Sequence, residues 1–358
     1  PARTQSRRKM IVPPAAGAAA EASEPSRIAR DSSAAFAAAV ILTPVFGRIS
    51  IAAGLIDYPS SRRFHLTTMP MMGGLAIATA FTVVALIAFK GVPPVKIIGS
   101  MVASVLLLVL GLSDDFKSIR PKVKLAGQAA AGIILLVSGL HVSMTGIKVL
   151  DWAITIIWVS GIVNCLNLLD NIDGLSGGTS AIAGCAFFVA AVLTGRADVA
   201  ITAAVFSGAC TGFLFHNFHP ATIFSGDAGS MFMGSMLASF GLIFMGSKGA
   251  VSQIFPGVIL GLLIFDTGLV TIMRISHGKK ITDGGKDHTS HRLTYLGLSV
   301  QAAVSILFAV CFIFGAAGIL MLRLKTPLAL LVPLILFVIS AVIWFLMRNL
   351  YNYDGHAA

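Results

Sequence analysis

Five aspartates stand at the ends of apolar segments, and their spacing is the first sign of chemistry in this chain. The three groups they form are each separated by about two membrane-spanning lengths, since one span takes roughly 20 apolar residues. Two spans and a turn return the chain to the side it left, so all five carboxylates are predicted to face one side of a membrane: Asp114, Asp115, Asp170, Asp173 and Asp227. Carboxylates gathered there with lysines, arginines and histidines would suit a metal-assisted reaction on a phosphate ester at the membrane surface.

The adjacent pair Asp114 and Asp115 ends the third apolar segment and is followed closely by cations, among them Lys122 and Lys124. Neighbouring carboxylates can hold a divalent ion or accept a proton while the cations hold phosphates. A solvated helix end is the alternative for this pair when it is considered alone.

The fifth apolar segment carries Asn164, Asn167 and Asp170 at intervals of three residues. On a helix they form one drifting polar stripe, which in lipid must face the bundle interior or a wet cavity. Helix packing through interhelical hydrogen bonds is the alternative, and it explains the asparagines better than the aspartates.

Asp227 stands between Gly226 and Gly229, where the eighth apolar segment begins. An aspartate in that place is ordinarily an N-cap. The same geometry suits a pyrophosphate, whose metal the aspartate could ligate while free helix N–H groups point at its oxygens.

The longest internal loop, residues 274–297, is basic and holds His288 and His291 three residues apart, so one helical turn would place both on one face. Donation to phosphate oxygens is favoured over zinc binding, and an ordinary basic loop is the alternative. The loop after the first apolar segment adds Arg62, Arg63 and His65 to the same side.

The composition indicates that these residues are positioned by a membrane protein. The 358 residues are 56% hydrophobic and 11% charged, with a mean hydropathy of +0.89, which is far outside the range of soluble domains. Only helices or closed barrels satisfy the backbone in lipid, and runs of this length exclude barrel strands. We therefore predict an all-α polytopic membrane bundle of about eleven transmembrane helices, at residues 33–55, 73–89, 95–113, 124–140, 150–166, 177–194, 198–216, 228–246, 251–273, 299–321 and 327–347.

The net charge is +11, and the lysines and arginines lie in short loops and a tail. The orientation of the protein in the membrane and the binding of phosphate ligands account for these cations, so no nucleic-acid partner is expected. Loops after odd-numbered segments, with Arg348, carry twelve lysines and arginines against seven after even-numbered segments. This bias predicts that the aspartates and their loops are cytoplasmic. The cations of the N-terminal tail would lie on the other side, so the orientation rests on the loops.

Residues 1–31 are rich in Ala, Ser, Pro and Arg without an apolar periodicity, which predicts a disordered tail, and residues 351–358 form a short C-terminal tail. The four cysteines have no paired spacing and are predicted to be small core residues, with neither a disulfide nor a zinc site: Cys165, Cys185, Cys210 and Cys311.

Taken together, five stretches resemble the polyprenyl-phosphate N-acetylhexosamine-1-phosphate transferases, the membrane family that includes phospho-MurNAc-pentapeptide translocase and the GlcNAc-1-phosphate transferases. The stretches occur in family order over nearly the whole chain after the tail: residues 57–74, 111–128, 164–178, 218–234 and 288–297. The resemblance makes residues 32–350 a transmembrane transferase domain.

The resemblance implies transfer of a sugar-1-phosphate, GlcNAc-1-phosphate being favoured, from a UDP-N-acetylhexosamine to a polyprenyl phosphate, with release of UMP. Undecaprenyl phosphate is the expected acceptor and Mg2+ the expected cofactor, for which Mn2+ could substitute. The reaction would start a cell-envelope glycan at the bacterial cytoplasmic membrane, with the active site facing the cytoplasm. A homodimer would be in keeping with the family.

Carried over by motif, the site residues take three roles. Asp114 and Asp115 would be catalytic together with His288 and His291, and Asp227 with Asn167 would hold the metal. The substrates would be bound by Arg62, Arg63, His65, Lys122, Lys124, Asn164, Asp170, Asp173 and Arg292. Direct attack by the lipid phosphate is favoured over a covalent enzyme intermediate, because a phosphate anion is already nucleophilic.

The chain departs from the family pattern at several positions. Asn171 replaces the glycine that is usual in the aspartate motif, and Met71 occupies the position where an arginine often precedes the Gly-Gly pair. The histidine motif lacks a run of adjacent histidines, which favours the GlcNAc-type branch and leaves the sugar open. An ion- or proton-coupled transporter is the main alternative, but the charges lie at segment ends on one face and no inverted repeat is visible.

Overall fold

The structure is a computed structural model, and it describes residues 14–58, 68–280, 285 and 287–348. The predicted site residues Arg62, Arg63 and His65 lie outside these ranges, as does the C-terminal tail at residues 351–358.

Helices form almost all of the described chain, which confirms the predicted all-α fold. The described helices are α1 (Pro14–Ala52), α2 (Gly73–Ala88), α3 (Val95–Phe116), α4 (Pro121–Val137), α5 (Lys148–Leu169), α6 (Leu175–Leu193), α7 (Ala197–Asn217), α8 (Gly226–Met245), α9 (Ala250–Ile259), α10 (Gly261–Ser276), α11 (Thr289–Tyr295), α12 (Val300–Met321) and α13 (Thr326–Arg348). Two short strands, β1 (Ile56–Asp57) and β2 (Met69–Pro70), pair antiparallel, with Ile56 opposite Pro70.

All eleven predicted segments are helical, but eleven membrane spans are not confirmed. Within the described residues, eight helices are long and apolar enough to cross a bilayer, or nine if α9 and α10 are one bent span. The predicted helix at residues 251–273 is instead two helices inclined by 71°, because Pro256 and Gly261 weaken the backbone on either side of the break. Helix α2 has only 16 residues, and α4 has 17 with Lys122 and Lys124 in its first turn.

The first helix begins at Pro14, inside the stretch predicted to be a tail, and residues 1–13 of that stretch lie outside the described residues. An alanine-rich run has a high helix propensity, and polar contacts hold its later part against the bundle. Ser32 Oγ donates to the carbonyl oxygen of Ala204 at 2.9 Å, the Arg27 guanidinium donates to the carbonyl oxygen of Ala88, and Asp31 is buried.

Helix α8 is the centre of the bundle and carries Asp227 in its first turn. Every residue of this helix except Asp227 is buried, and the helix contacts α2, α3, α5, α6 and α9. Small residues allow these helices to approach closely. At Gly234, for example, a Cβ atom would lie 2.9 Å from the Cα of Val163.

The cysteines are free, as expected, and Cys165, Cys210 and Cys311 are buried. Cys185 is exposed, so its prediction as a core residue is wrong.

Candidate active site

Asp115 connects the end of α3 to the start of α8. Its carboxylate oxygens accept hydrogen bonds from the backbone N–H groups of Asp227 at 2.8 Å and Ala228 at 3.0 Å. The approach requires two glycines: a Cβ at Gly111 would lie 2.4 Å from the Asp227 carbonyl oxygen, and one at Gly226, where φ is +68°, would lie 2.6 Å from the Asp115 carboxylate. Asp115 therefore caps α8 from another helix.

This contact corrects one part of the prediction for the Asp227 segment. Two N–H groups that were expected to point at a pyrophosphate are instead bound by the Asp115 carboxylate. Asp227 is also not the N-cap residue of its helix; that place is taken by Ser225. The side chain of Asp227 is consequently available for other partners.

Lys124, in the first turn of α4, lies between two carboxylates. Its Nζ is 2.6 Å from Asp114 Oδ2 and 2.5 Å from Asp227 Oδ2. Asn167 Nδ2 donates to the other Asp227 oxygen at 3.0 Å and to Ser230 Oγ at 2.9 Å. Burial lowers the pKa of Lys124, but the charge of Asp227 and the contact with Asp114 outweigh it and raise the pKa above its ordinary value.

These residues are compatible with a divalent cation. No group of three or more His, Cys, Asp or Glu side chains converges into a metal cluster among the residues that the structure describes. Mg2+ does not need one, since it is commonly held by one or two carboxylates together with substrate phosphates and waters. Oxygens of Asp114 and Asp227 already converge on one positive charge, the Lys124 ammonium, which stands in for a cation.

The predicted polar stripe of α5 faces other helices at each of its positions. Asn164 and Gln128 of α4 exchange two hydrogen bonds of 3.0 Å each. Asp170 accepts hydrogen bonds of 2.5 Å from the hydroxyls of Ser176 and Ser225. Sequence reasoning missed Gln128, although an uncharged polar residue within an apolar segment is itself a signal of an interhelical partner.

Asp173 holds the segment that precedes α8. Its Oδ2 lies 2.6 Å from His219 Nδ1 and accepts the Ala221 N–H at 3.1 Å. The aspartate motif and the glycine-flanked Asp227 are thus joined directly, because Asp170 binds Ser225 and Asp173 binds the residues just before it. His219 was not among the predicted site residues.

The histidine motif joins the same end of the bundle through Ser290, whose hydroxyl donates to Asn171 Oδ1 at 2.6 Å. His288 Nδ1 lies 2.8 Å from Asp266 Oδ2, and the Thr289 N–H donates to the other Asp266 oxygen at 2.7 Å. Asp266 is fully buried. Asp266 was not among the predicted site residues, although an isolated acidic residue in an apolar segment of a membrane protein indicates a functional or paired position.

Arg274 and Asp287 anchor the basic loop. The arginine Nε and one terminal nitrogen bind the two carboxylate oxygens at 2.8 Å each, and Arg292 Nε donates to the Asp287 carbonyl oxygen at 3.0 Å. Burial alone raises the pKa of Asp287, but the hydrogen bonds and charge of Arg274 outweigh it and lower the pKa. His291 and Arg292 are buried on α11, whereas Lys122 is exposed on α4.

The five aspartates are therefore connected through one set of contacts at one end of the bundle. The fold and this site define a polytopic membrane protein with a polar, oppositely charged cluster at the end of its central helix. Residues 97–246 match the family described as glycosyl transferase family 4.

Similar proteins agree with that match. The chain is 34% identical over 317 residues to a Bacillus subtilis protein named a probable undecaprenyl-phosphate N-acetylglucosaminyl 1-phosphate transferase, covering 85% of this chain and 87% of the relative. It is 30% identical over 310 residues to a decaprenyl-phosphate N-acetylglucosaminephosphotransferase of Mycobacterium tuberculosis, covering 74% and 76%. A stretch of 79 residues is 52% identical to a phospho-N-acetylmuramoyl-pentapeptide-transferase of Thermosynechococcus vestitus, covering 22% and 20%. The chain belongs to glycosyl transferase family 4.

Proposed function

We propose that this protein transfers GlcNAc-1-phosphate from UDP-GlcNAc to a polyprenyl phosphate and releases UMP. The cluster of Asp114, Lys124 and Asp227 is the observation on which the proposal rests, since it places both signs of charge at the end of a membrane bundle. The name of the Bacillus subtilis relative supports the lipid acceptor and the sugar.

The reaction is a phosphoryl transfer between two phosphate esters. An oxygen of the lipid phosphate attacks the phosphorus that bears the sugar, and the bond from that phosphorus to the bridging oxygen breaks. UMP leaves with the bonding electrons, and the product is a lipid diphosphate sugar. Such a transfer depends on positioning and on neutralising charge at the attacking and leaving oxygens.

Different residues of the chain would position the substrates and neutralise their charge. Asp114, which faces the Lys124 ammonium, would take a proton from the lipid phosphate or orient it, while Lys124 would offer charge and donors to phosphate oxygens. Asp115 acts as a positioning residue, because both of its oxygens hold the start of α8. Asp170 and Asp173 are proposed to line the nucleotide pocket, with His288, His291 and Arg292 beside it.

Mg2+, or Mn2+ in its place, would be held by Asp227 with Asn167 and would neutralise charge on the diphosphate. We place the protein in a bacterial cytoplasmic membrane with this end of the bundle in the cytoplasm, where nucleotide sugars are made, as a homodimer that starts a cell-envelope glycan. The positive-inside bias of the loops supports the orientation.

The test is release of UMP by the purified full chain in detergent, with undecaprenyl phosphate, Mg2+ and a panel of UDP-N-acetylhexosamines. We expect UMP with UDP-GlcNAc and a loss of at least 100-fold for Asp227→Asn, on the scale of removing one electrostatic contact from a transition state. Asp198→Asn, in the first turn of α7, is the matched control and should keep full activity. Absence of UMP with every donor of the panel would contradict the proposal.

A further inference from the structure

The Lys124 ammonium occupies the position that a cation would take between Asp114 and Asp227. We infer that Lys124 is a displaceable counter-ion: a divalent metal that binds Asp227 releases the ammonium to the phosphates of the nucleotide substrate. The inference rests on the proposed function and adds to it a coupling between metal binding and diphosphate binding.

The first step of the argument is that these carboxylates require a positive charge. Two carboxylates within contact distance of one ammonium repel each other strongly when they are partly removed from water. The side chains are only 12% exposed for Asp114 and 29% exposed for Asp227, and Lys124 is 24% exposed. A metal that binds Asp227 supplies that charge itself, and the lysine then becomes an excess cation beside it.

The second step is that Lys124 can move and Asp227 cannot. The Asp227 carboxylate is held by Asn167, and its backbone N–H is held by Asp115. The Gly111 contact places α3 directly against the Asp227 carbonyl. Lysine, in contrast, carries its charge on a flexible four-carbon stem with three rotatable donors. Competition for the Asp227 oxygen is therefore resolved by movement of the ammonium.

The third step concerns the destination of the ammonium. Two positive charges side by side repel each other, so the released ammonium is stable beside the metal only if further negative charge is close to both. The diphosphate bound by that metal would supply this negative charge. Metal and nucleotide diphosphate then favour each other's binding through Lys124, and linkage makes this effect equal in both directions.

The experiment measures binding without an acceptor lipid or turnover. Mn2+ binding to the full chain in detergent is followed by electron paramagnetic resonance, and UDP binding is measured with and without Mn2+, corrected for the Mn2+–UDP complex in solution. For Lys124→Met we expect Mn2+ alone to bind at least tenfold more tightly than to the wild type. The factor by which Mn2+ strengthens UDP binding should fall at least fivefold.

Lys117→Met is the matched control, since Lys117 is an exposed cation at the C-terminal end of α3, the helix that carries Asp114, and both quantities should stay at wild-type values. Lys124→Gln repeats the test with a polar side chain in case the methionine variant unfolds. Unchanged or weaker Mn2+ binding would overturn the inference, as would an unchanged coupling factor, which would mean that Lys124 stays in place as a fixed charge. A protein that binds UDP and Mn2+ with unchanged coupling yet releases UMP would refute only this inference and leave the proposed function standing.

Discussion

Replacing Asp115 by asparagine tests whether this carboxylate positions α8. In the native protein its two oxygens each accept one backbone N–H, from Asp227 at 2.8 Å and from Ala228 at 3.0 Å. An asparagine keeps one acceptor oxygen but turns an NH2 donor toward the other N–H, which is then left without an acceptor. Asp115→Asn should therefore destabilise the protein and displace Asp227 together.

The magnitude follows from two terms. A buried N–H that loses its acceptor costs about 1–3 kcal/mol. Loss of a negative charge at a helix N-terminus costs about 0.3–1 kcal/mol, and up to about 2 kcal/mol when it is partly buried. We expect the free energy of unfolding to fall by about 2–4 kcal/mol in Asp115→Asn.

The assay is unfolding in mixed micelles followed by circular dichroism, with UMP release measured on the same preparations. Asp114→Asn is the comparison, since Asp114 contacts Lys124 and the Ile119 N–H but binds no N–H of α8. Its activity should fall with a smaller loss of stability. If Asp115→Asn abolished UMP release while the free energy of unfolding stayed unchanged, the carboxylate would be reacting rather than positioning, and the argument would be refuted.

Two further predictions concern packing and pH. Gly111→Ala should reduce both stability, by about 1–3 kcal/mol, and UMP release, because its methyl group would lie 2.4 Å from the Asp227 carbonyl oxygen. Gly161→Ala, in the interior of α5 with no neighbour within 4 Å, should reduce neither, since alanine is the better helix former. The pKa of Asp287 is lowered by Arg274, so its contribution to stability is complete above its unfolded pKa of about 4 and is lost as pH falls through the folded pKa. Thermal unfolding between about pH 3 and pH 7 should therefore show a loss below about pH 4 that Asp287→Asn lacks. That variant should be about 3–5 kcal/mol less stable at neutral pH, because it removes the carboxylate that forms two hydrogen bonds with the buried Arg274 guanidinium. Equal slopes in the two proteins would contradict the assignment.

The sequence by itself determined the fold class and the chemistry that the site could contain. Long apolar runs allow only helices in lipid, so the all-α bundle followed from hydropathy, and the spacing of the aspartates placed them at one end of it. The number of spans did not follow, because hydropathy detects apolar length and not direction. It could not anticipate the break between α9 and α10, where the chain bends by 71°.

Only the tertiary structure decided which partner each charged residue has. Asp114 and Asp115 are neighbours in sequence, but successive residues on a helix point about 100° apart, so one meets Lys124 of α4 and the other meets the first turn of α8. Lys124 and Asp227 are 103 residues apart, and no pattern along the chain relates them. Sequence spacing gives the side of the membrane that a residue faces. A contact between two side chains depends instead on how the helices pack, and that packing depends on glycines such as Gly111, which lets α3 approach α8 closely.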